Sequence, residues 1–137
     1  MTCTITTHDV PPPADAELVD AGLGRANDAA APLHEVRPLG CFAHDAAGAV
    51  IGGAVGRTWG ACCELQQLWV DPAFQRQGIA TQLVRAFEAR AITRGCRTFY
   101  LETFSFQAPA FYRKLGYATA HESAIYPHGI SKHLMRK

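Results

Sequence analysis

The sequence predicts a mixed α/β sheet with helices on both faces, and three observations carry that prediction. A strand-like stretch over residues 61–70, bulky at Leu65, Leu68 and Trp69 and β-branched at Val70, ends at Asp71-Pro72, where the proline forbids further ladder pairing. From Ile79 onward Leu83, Val84, Phe87 and Ala91 recur at helical spacing as far as Arg94, and Gly95 follows as a ready left-handed cap. Around this unit strand-like and helix-like stretches follow in the order strand, helix, three strands, helix, strand, helix, two strands. With 137 residues and 48% apolar side chains there is room for one core, so residues 1–137 are expected to form a single domain.

Each element has a local reason. Residues 2–7 are β-branched and read as an edge strand, stopped by Asp9 and the run Pro11-Pro12-Pro13. Residues 14–27 permit a helix with Leu18, Ala21 and Leu23 on one stripe, and 28–32 read as loop or a short second helix. Residues 37–43 and 49–56 flank His44-Asp45-Ala46-Ala47-Gly48, which has hairpin chemistry. The pattern Gly52-Gly53-x-x-Gly56 lies inside a strand with no helix after it. It therefore signals close packing or a bulge rather than a nucleotide loop. A turn at Thr58-Trp59-Gly60 leads into the longest strand, residues 61–70. In the helix that follows, Arg85 and Glu88 are expected to project away from the apolar face and pair, with Arg90 and Arg94 solvated near its end. Residues 97–103 form a strand, 108–115 a short helix closed by Gly116, and 117–126 with 132–135 a last strand pair.

Composition excludes several classes of function. The net charge is +1 and the pI is near 7.7, which gives no general reason to bind nucleic acid or a membrane surface. The charge is uneven, however. Residues 1–60 carry three basic and seven acidic side chains and 61–137 carry ten and five, so the halves run at −4 and +5, and a polyanion prefers the second. Cys3, Cys41, Cys62, Cys63 and Cys96 are odd in number and lack CxxC spacing, which argues for reduced thiols in a cytosol. No apolar run approaches the roughly 20 residues that span a bilayer, and Met1-Thr2-Cys3-Thr4 carries no leader signature, so a cytoplasmic protein is expected. His121, His128 and His133 lack carboxylates or cysteines at ligand spacing, so no metal is expected, and Cys62-Cys63 reads as buried thiol.

The turn at residues 71–80 is the chemical centre of the chain. A helix start leaves backbone N–H groups without intrahelical acceptors and presents the positive end of the helix dipole, which together suit a phosphate. Gly78, without a Cβ, lets an anion approach the backbone.

Gln75-x-x-Gly78-x-Ala80, entered by Val70-Asp71-Pro72 and followed by Ala108-Pro-Ala-Phe-Tyr112-Arg-Lys-Leu-Gly116-Tyr117, resembles the GNAT superfamily of acyl-CoA-dependent N-acetyltransferases. The first motif is similar to that family's pyrophosphate loop and the second to its C-terminal signature. The resemblance covers residues 64–117 well; the first sixty residues match by pattern alone. It implies a mostly antiparallel sheet of six to seven strands in which the fourth and fifth splay apart at a bulge, with pantetheine in the gap. Acetyl-CoA is then the co-substrate and an amine the acceptor, with homodimerisation left open. By position Leu68, Trp69 and Val70 would face the pantetheine, Leu68 and Val70 offering backbone groups. Gln75, Arg76, Gln77, Gly78, Ile79, Ala80 and Thr81 would hold the pyrophosphate. Ser105 stands where many relatives carry asparagine, and Tyr112 would touch the cofactor.

Acetyl transfer from a thioester to an amine needs a neutral amine, stabilisation of negative charge on the carbonyl oxygen, and a proton for the departing thiolate. Tyr112 matches the family's acid, with aromatic packing as the alternative. Glu64 stands eleven residues before Gln75, at the spacing of the family's catalytic glutamate, and could equally bind the acceptor or pair with an arginine. Glu102 is the reserve base, and the Leu68 N–H is the resemblance-based donor to the oxyanion. The leading reading is acetylation of a small-molecule amine by direct transfer. A protein or peptide N-acetyltransferase and a catalytically silent acyl-CoA-binding module are the alternatives.

Overall fold

In the computed structural model, which describes residues 2–137, the chain divides into two compact units, Met1–Glu35 and Val36–Lys137. In the first, residues 2–7 form no strand, contrary to the sequence expectation. Their β-branched side chains are all exposed, and β-propensity is a preference for a half-buried pleated surface that these residues do not have. A helix α1 spans Pro13–Ala30, three residues longer than expected at its C-terminal end, with prolines supplying its start. It buries none of its residues.

The second unit holds a six-stranded sheet. Strands β1 (Arg37–His44), β2 (Val50–Trp59), β3 (Cys62–Val70), β4 (Thr98–Phe104), β5 (Ala118–Ser123) and β6 (Lys132–Arg136) lie in the order β1-β2-β3-β4-β6-β5. Neighbours are antiparallel except β3 and β4, which run parallel because the helix α2 (Ile79–Thr93) crosses between them. The first hairpin closes as its composition predicts. Asp45 Oδ1 accepts the N–H groups of Ala47 and Ala49 at 2.9 Å, and Gly48 adopts φ 86°.

The core lies under α2, whose Leu83, Val84, Phe87 and Ala91 are buried against Ala54, Cys63, Leu65 and Val70. The short helix α3 (Pro109–Lys114) adds Tyr112 to the same cluster. Phe87 is 1% exposed, and burying such a ring is worth roughly 2–3 kcal/mol. The glycines of β2 make this packing close. A Cβ on Gly52 would lie 2.9 Å from the Trp69 carbonyl, and one on Gly56 would collide with the Glu64 carbonyl and approach Phe87.

Two charged residues, Glu88 in α2 and Arg94 just past its end, differ from the sequence expectation. Glu88 is 7% exposed and does not pair with Arg85; it accepts the Tyr117 phenol at 3.2 Å and Lys137 Nζ at 3.1 Å. It shares a face with Val84 and Ala91, so its carboxylate is carried into the core and must be satisfied there. Arg94 is likewise engaged, donating from Nη1 to the Pro38 carbonyl and to Thr58 Oγ1, both at 3.0 Å.

Candidate active site

The strands β3 and β4 are paired along half their length. Residues 62–65 match residues 98–101 in parallel register, and beyond Leu65 the pairing stops. On its other side β3 stays paired with β2 to the end, but the register shifts there. Gly56 faces Leu65 and Val55 faces Gln67, so Gln66 is an extra residue. This bulge turns β3 away from β4 and leaves one edge of residues 66–70 open.

Strand alternation then decides which backbone groups face the opening. The Asp71 N–H donates to the Ile51 carbonyl of β2 at 2.8 Å. With a period of two, Trp69 and Gln67 direct their backbone groups to β2, while Leu68 and Val70 direct theirs to the parted side. The Val70 carbonyl accepts Gln75 Nε2 at 3.2 Å, which ties the loop to the strand.

The loop from β3 to α2 reverses the chain ahead of the helix. Asp71 Oδ1 accepts the Ala73 N–H at 2.9 Å and caps a single 3-10 turn, Pro72–Phe74. The chain then reverses through two left-handed residues, Arg76 at φ 63° and Gly78 at φ 77°. For arginine that conformation costs about 1–2 kcal/mol, a strain that clusters at functional sites. The first backbone bond of α2 joins the Gln82 N–H to the Gly78 carbonyl at 3.1 Å, so the N–H groups of Ile79, Ala80 and Thr81 lie ahead of the ladder. A Cβ on Gly78 would meet nothing within 4 Å. N–H groups ahead of the helix ladder at a dipole's positive end, with Arg76 beside them, fit a polyphosphate, and the open edge of β3 fits an extended amide-bearing arm.

Two cavities adjoin at the opening, sharing Leu68, Trp69 and Ala108. The first, about 410 Å³, is also lined by Val70, Gln75, Arg76, Gly78, Ile79, Ala80 and Thr81, which brings together nine of the residues expected to touch the cofactor. Phe74, Ala108 and Phe111 join them without having been expected. The second, about 530 Å³, is lined by Tyr112 together with Gln66, Gln67, Glu102, Thr103 and Gln107. The glutamines of β3 carry no sequence signal, because what brings them to the opening is the bulge.

Three expected residues line neither cavity. Gln77 is on the loop but does not line the first cavity. Ser105, just past the end of β4, is engaged with Ser131, just before β6, its N–H donating to the Ser131 carbonyl at 2.8 Å and its Oγ accepting the Ser131 N–H at 3.0 Å. Glu64 sits at the closed end of the strand pair, opposite Tyr100, and its Oε1 accepts Arg57 Nε at 2.8 Å. Pairing with an arginine, one of the alternatives open at sequence level, is thus what Glu64 does here.

Tyr112 is 7% exposed, packed edge-on against Phe111 and Tyr117. Burial pushes its phenol up to about 12, so it stays protonated at neutral pH. Its hydroxyl makes no hydrogen bond with any described residue. Glu102 is half-exposed, with Lys132 Nζ 3.3 Å away. Cys63 is buried, and desolvation, with smaller contributions from Cys96, Cys62 and Glu88, pushes its thiol to about 12, unsuited to a nucleophile. Of the histidines, His133 is buried between Thr119 and Ser131, and His121 faces Ser123. Among the described residues no group of three His, Cys, Asp or Glu is placed to hold a metal, and no helix is long and apolar enough to cross a membrane.

Comparison with known proteins points one way. A sequence profile of the acetyltransferase (GNAT) family matches residues 8–117. The chain is 38% identical over 110 residues to a blasticidin-S acetyltransferase of Streptomyces morookaense, covering 77% of this chain and 81% of that one. The crystal structure of an acetyltransferase from Bacillus cereus superposes with a TM-score of 0.79 at 26% identity, covering 96% of each chain. One from Agrobacterium tumefaciens reaches 0.83 at 25% identity over 98% of each chain.

Proposed function

The chain belongs to the GNAT family of acetyltransferases, and on that premise we propose that it moves the acetyl group of acetyl-CoA to a primary amine of a small molecule by direct transfer in a ternary complex. The observation that carries this reading is the parted end of β3 and β4, which offers backbone groups to an extended arm and joins an anion site to a second cavity. The relative named for acetylating blasticidin-S supports a small-molecule acceptor over a protein one.

Acetyl-CoA supplies the thioester whose carbonyl carbon the neutral amine attacks. The Leu68 N–H, directed to the open side of β3, donates to the carbonyl oxygen as negative charge grows on it. Tyr112 donates from its phenol to the departing sulfur. With a pKa near 12 against roughly 8.5 for an ordinary thiol, its contribution is a hydrogen bond that strengthens as charge develops, and complete proton transfer to a free thiolate is uphill. Glu102, which lines the same cavity as Tyr112, accepts the proton of the amine; Glu64, paired with Arg57, does not line that cavity. Placing Glu102 first follows from reach, since a base must come within hydrogen-bond distance of the proton it takes.

The test has two parts. CoA should raise the melting temperature, since a ligand at 100 times its dissociation constant stabilises the native state by about 2.7 kcal/mol. Acetyl-CoA with a panel of small amines should release free thiol with an N-acetyl product. No melting shift at millimolar CoA, or no amine-dependent thiol release across the panel, would remove the assignment.

A further inference from the structure

Between Glu102 and Gln107, which line the second cavity, the end of β4 and the turn after it carry Phe104 and Phe106, and with Tyr126 their rings form a platform outside the core. Phe104 and Phe106 lie parallel, ring centroids 5.4 Å apart and planes within 8°, while Tyr126 meets Phe104 edge-on at 5.4 Å. Phe104 is held by its neighbours, and Phe106 is 66% exposed. Lys132 Nζ stands 5.3 Å from the Phe104 centroid and 5.6 Å from that of Tyr126, and it also pairs with Glu102.

Two connections tie the platform to the cavity. Glu102 and Phe104 are two residues apart on β4, so they share a face about 7 Å apart along the strand. The Phe104 N–H donates to Gln107 Oε1 at 2.8 Å, and Gln107 lines the cavity. One short turn therefore forms both the cavity wall and the stack.

We propose that the acceptor carries a planar aromatic or heteroaromatic ring that stacks on Phe106, with its amine reaching past Glu102 into the cavity beside Tyr112. A pair of parallel rings with its outer member exposed accepts a third flat group by the same quadrupole-driven offset stacking that joins the first two. An aliphatic occupant would gain from Phe106 the apolar contact but not the stacking. Lys132 and Glu102 at the platform's edge hold Phe104 in place and keep the site from being a bare apolar patch. This inference rests on the acetyl-transfer reading above and names the chemical class of its acceptor.

The experiment compares 2-phenylethylamine with butylamine, both primary amines on alkyl arms, by kcat/KM for thiol release. The wild-type ratio should favour the aromatic amine by about 10-fold, the size of effect that stacking supplies. In Phe106→Ala, where a largely exposed side chain is removed, the ratio should fall toward one, and Phe106→Tyr should restore it. A wild-type ratio near one, or one that survives Phe106→Ala, overturns the proposal. If no amine is turned over, acetyl transfer itself fails, and binding decides the platform separately. Saturable NMR shifts at Phe104 and Phe106 on titrating 2-phenylethylamine into the CoA-loaded protein, absent with butylamine, would support it. Shifts absent with both amines, or equal with both, would overturn it.

Discussion

The two halves of the β3–β4 pair are built from the same strands and do opposite work. At the closed half, residues 62–65 and 98–101 are in ladder register, and Cys63, Leu65, Phe99 and Leu101 are all buried. At the open half, residues 67–70 keep their partners in β2 but lose β4, and the side chains there line cavities. What separates them is one extra residue, Gln66, accommodated over Gly56. Core packing and cavity lining are thus divided along a single strand, and the divider is a backbone feature, the bulge at Gln66.

The division can be broken at the open half first. Gly78→Glu places a side chain and a negative charge among the N–H groups ahead of α2 and should weaken CoA binding by about 10³-fold, on the order of 4 kcal/mol, measured by calorimetry. The left-handed conformation adds a stability cost of about 1–2 kcal/mol, which Gly78→Ala shares without the charge. Equal affinities for the two variants would show that no anion sits there.

Tyr112→Phe comes next, deleting the phenol and keeping a ring that packs against Phe111 and Tyr117. Turnover should fall by about 10²-fold with CoA affinity nearly unchanged, and wild-type turnover would assign Tyr112 to packing alone. The sign of its pKa shift gives a companion test. Burial raises the phenol from about 10 in the unfolded chain, so its protonated form is favoured by folding and its ionisation is delayed. The wild-type kcat should therefore show no loss from this group below about pH 11, while kcat/KM rises with pH as the acceptor amine loses its proton.

Gly56→Ala strikes the divider itself. The added methyl meets the Glu64 carbonyl and Phe87, so the variant should lose about 2 kcal/mol or more and melt some 6 °C lower. A variant as stable as wild type would mean that the bulge shifts freely. The smallest effect expected is at the carboxylates. Glu102→Gln should lower kcat by about 10-fold and Glu64→Gln by less, and the reverse order would return the base to Glu64 acting through water.

Much of the open half was legible in the sequence because its signals are local. Asp71-Pro72 ends a strand, Gly78 reverses the chain and Ile79 starts a helix, each through the conformational limits of one or two residues. The glycines of β2 were legible for the same reason, as positions where a side chain would not fit. Interactions over long sequence separations were not. Glu88 lies 29 residues from Tyr117 and 49 from Lys137, and nothing near it in sequence signals a buried acceptor. Glu64 was placed by its spacing from Gln75, but a count of residues contains neither the bulge at Gln66 nor the arginine across the strand. The expected strand at residues 2–7 failed because propensity does not supply a partner.

Backbone amide hydrogen exchange in the presence and absence of CoA would locate the ligand on this divided strand. Saturating CoA should slow exchange at Leu68, Val70, Ile79, Ala80 and Thr81, and leave residues 62–65 and 98–101 as they were. Protection spread evenly along β3, or confined to sites away from the open half, would contradict a cofactor held between the parted strands.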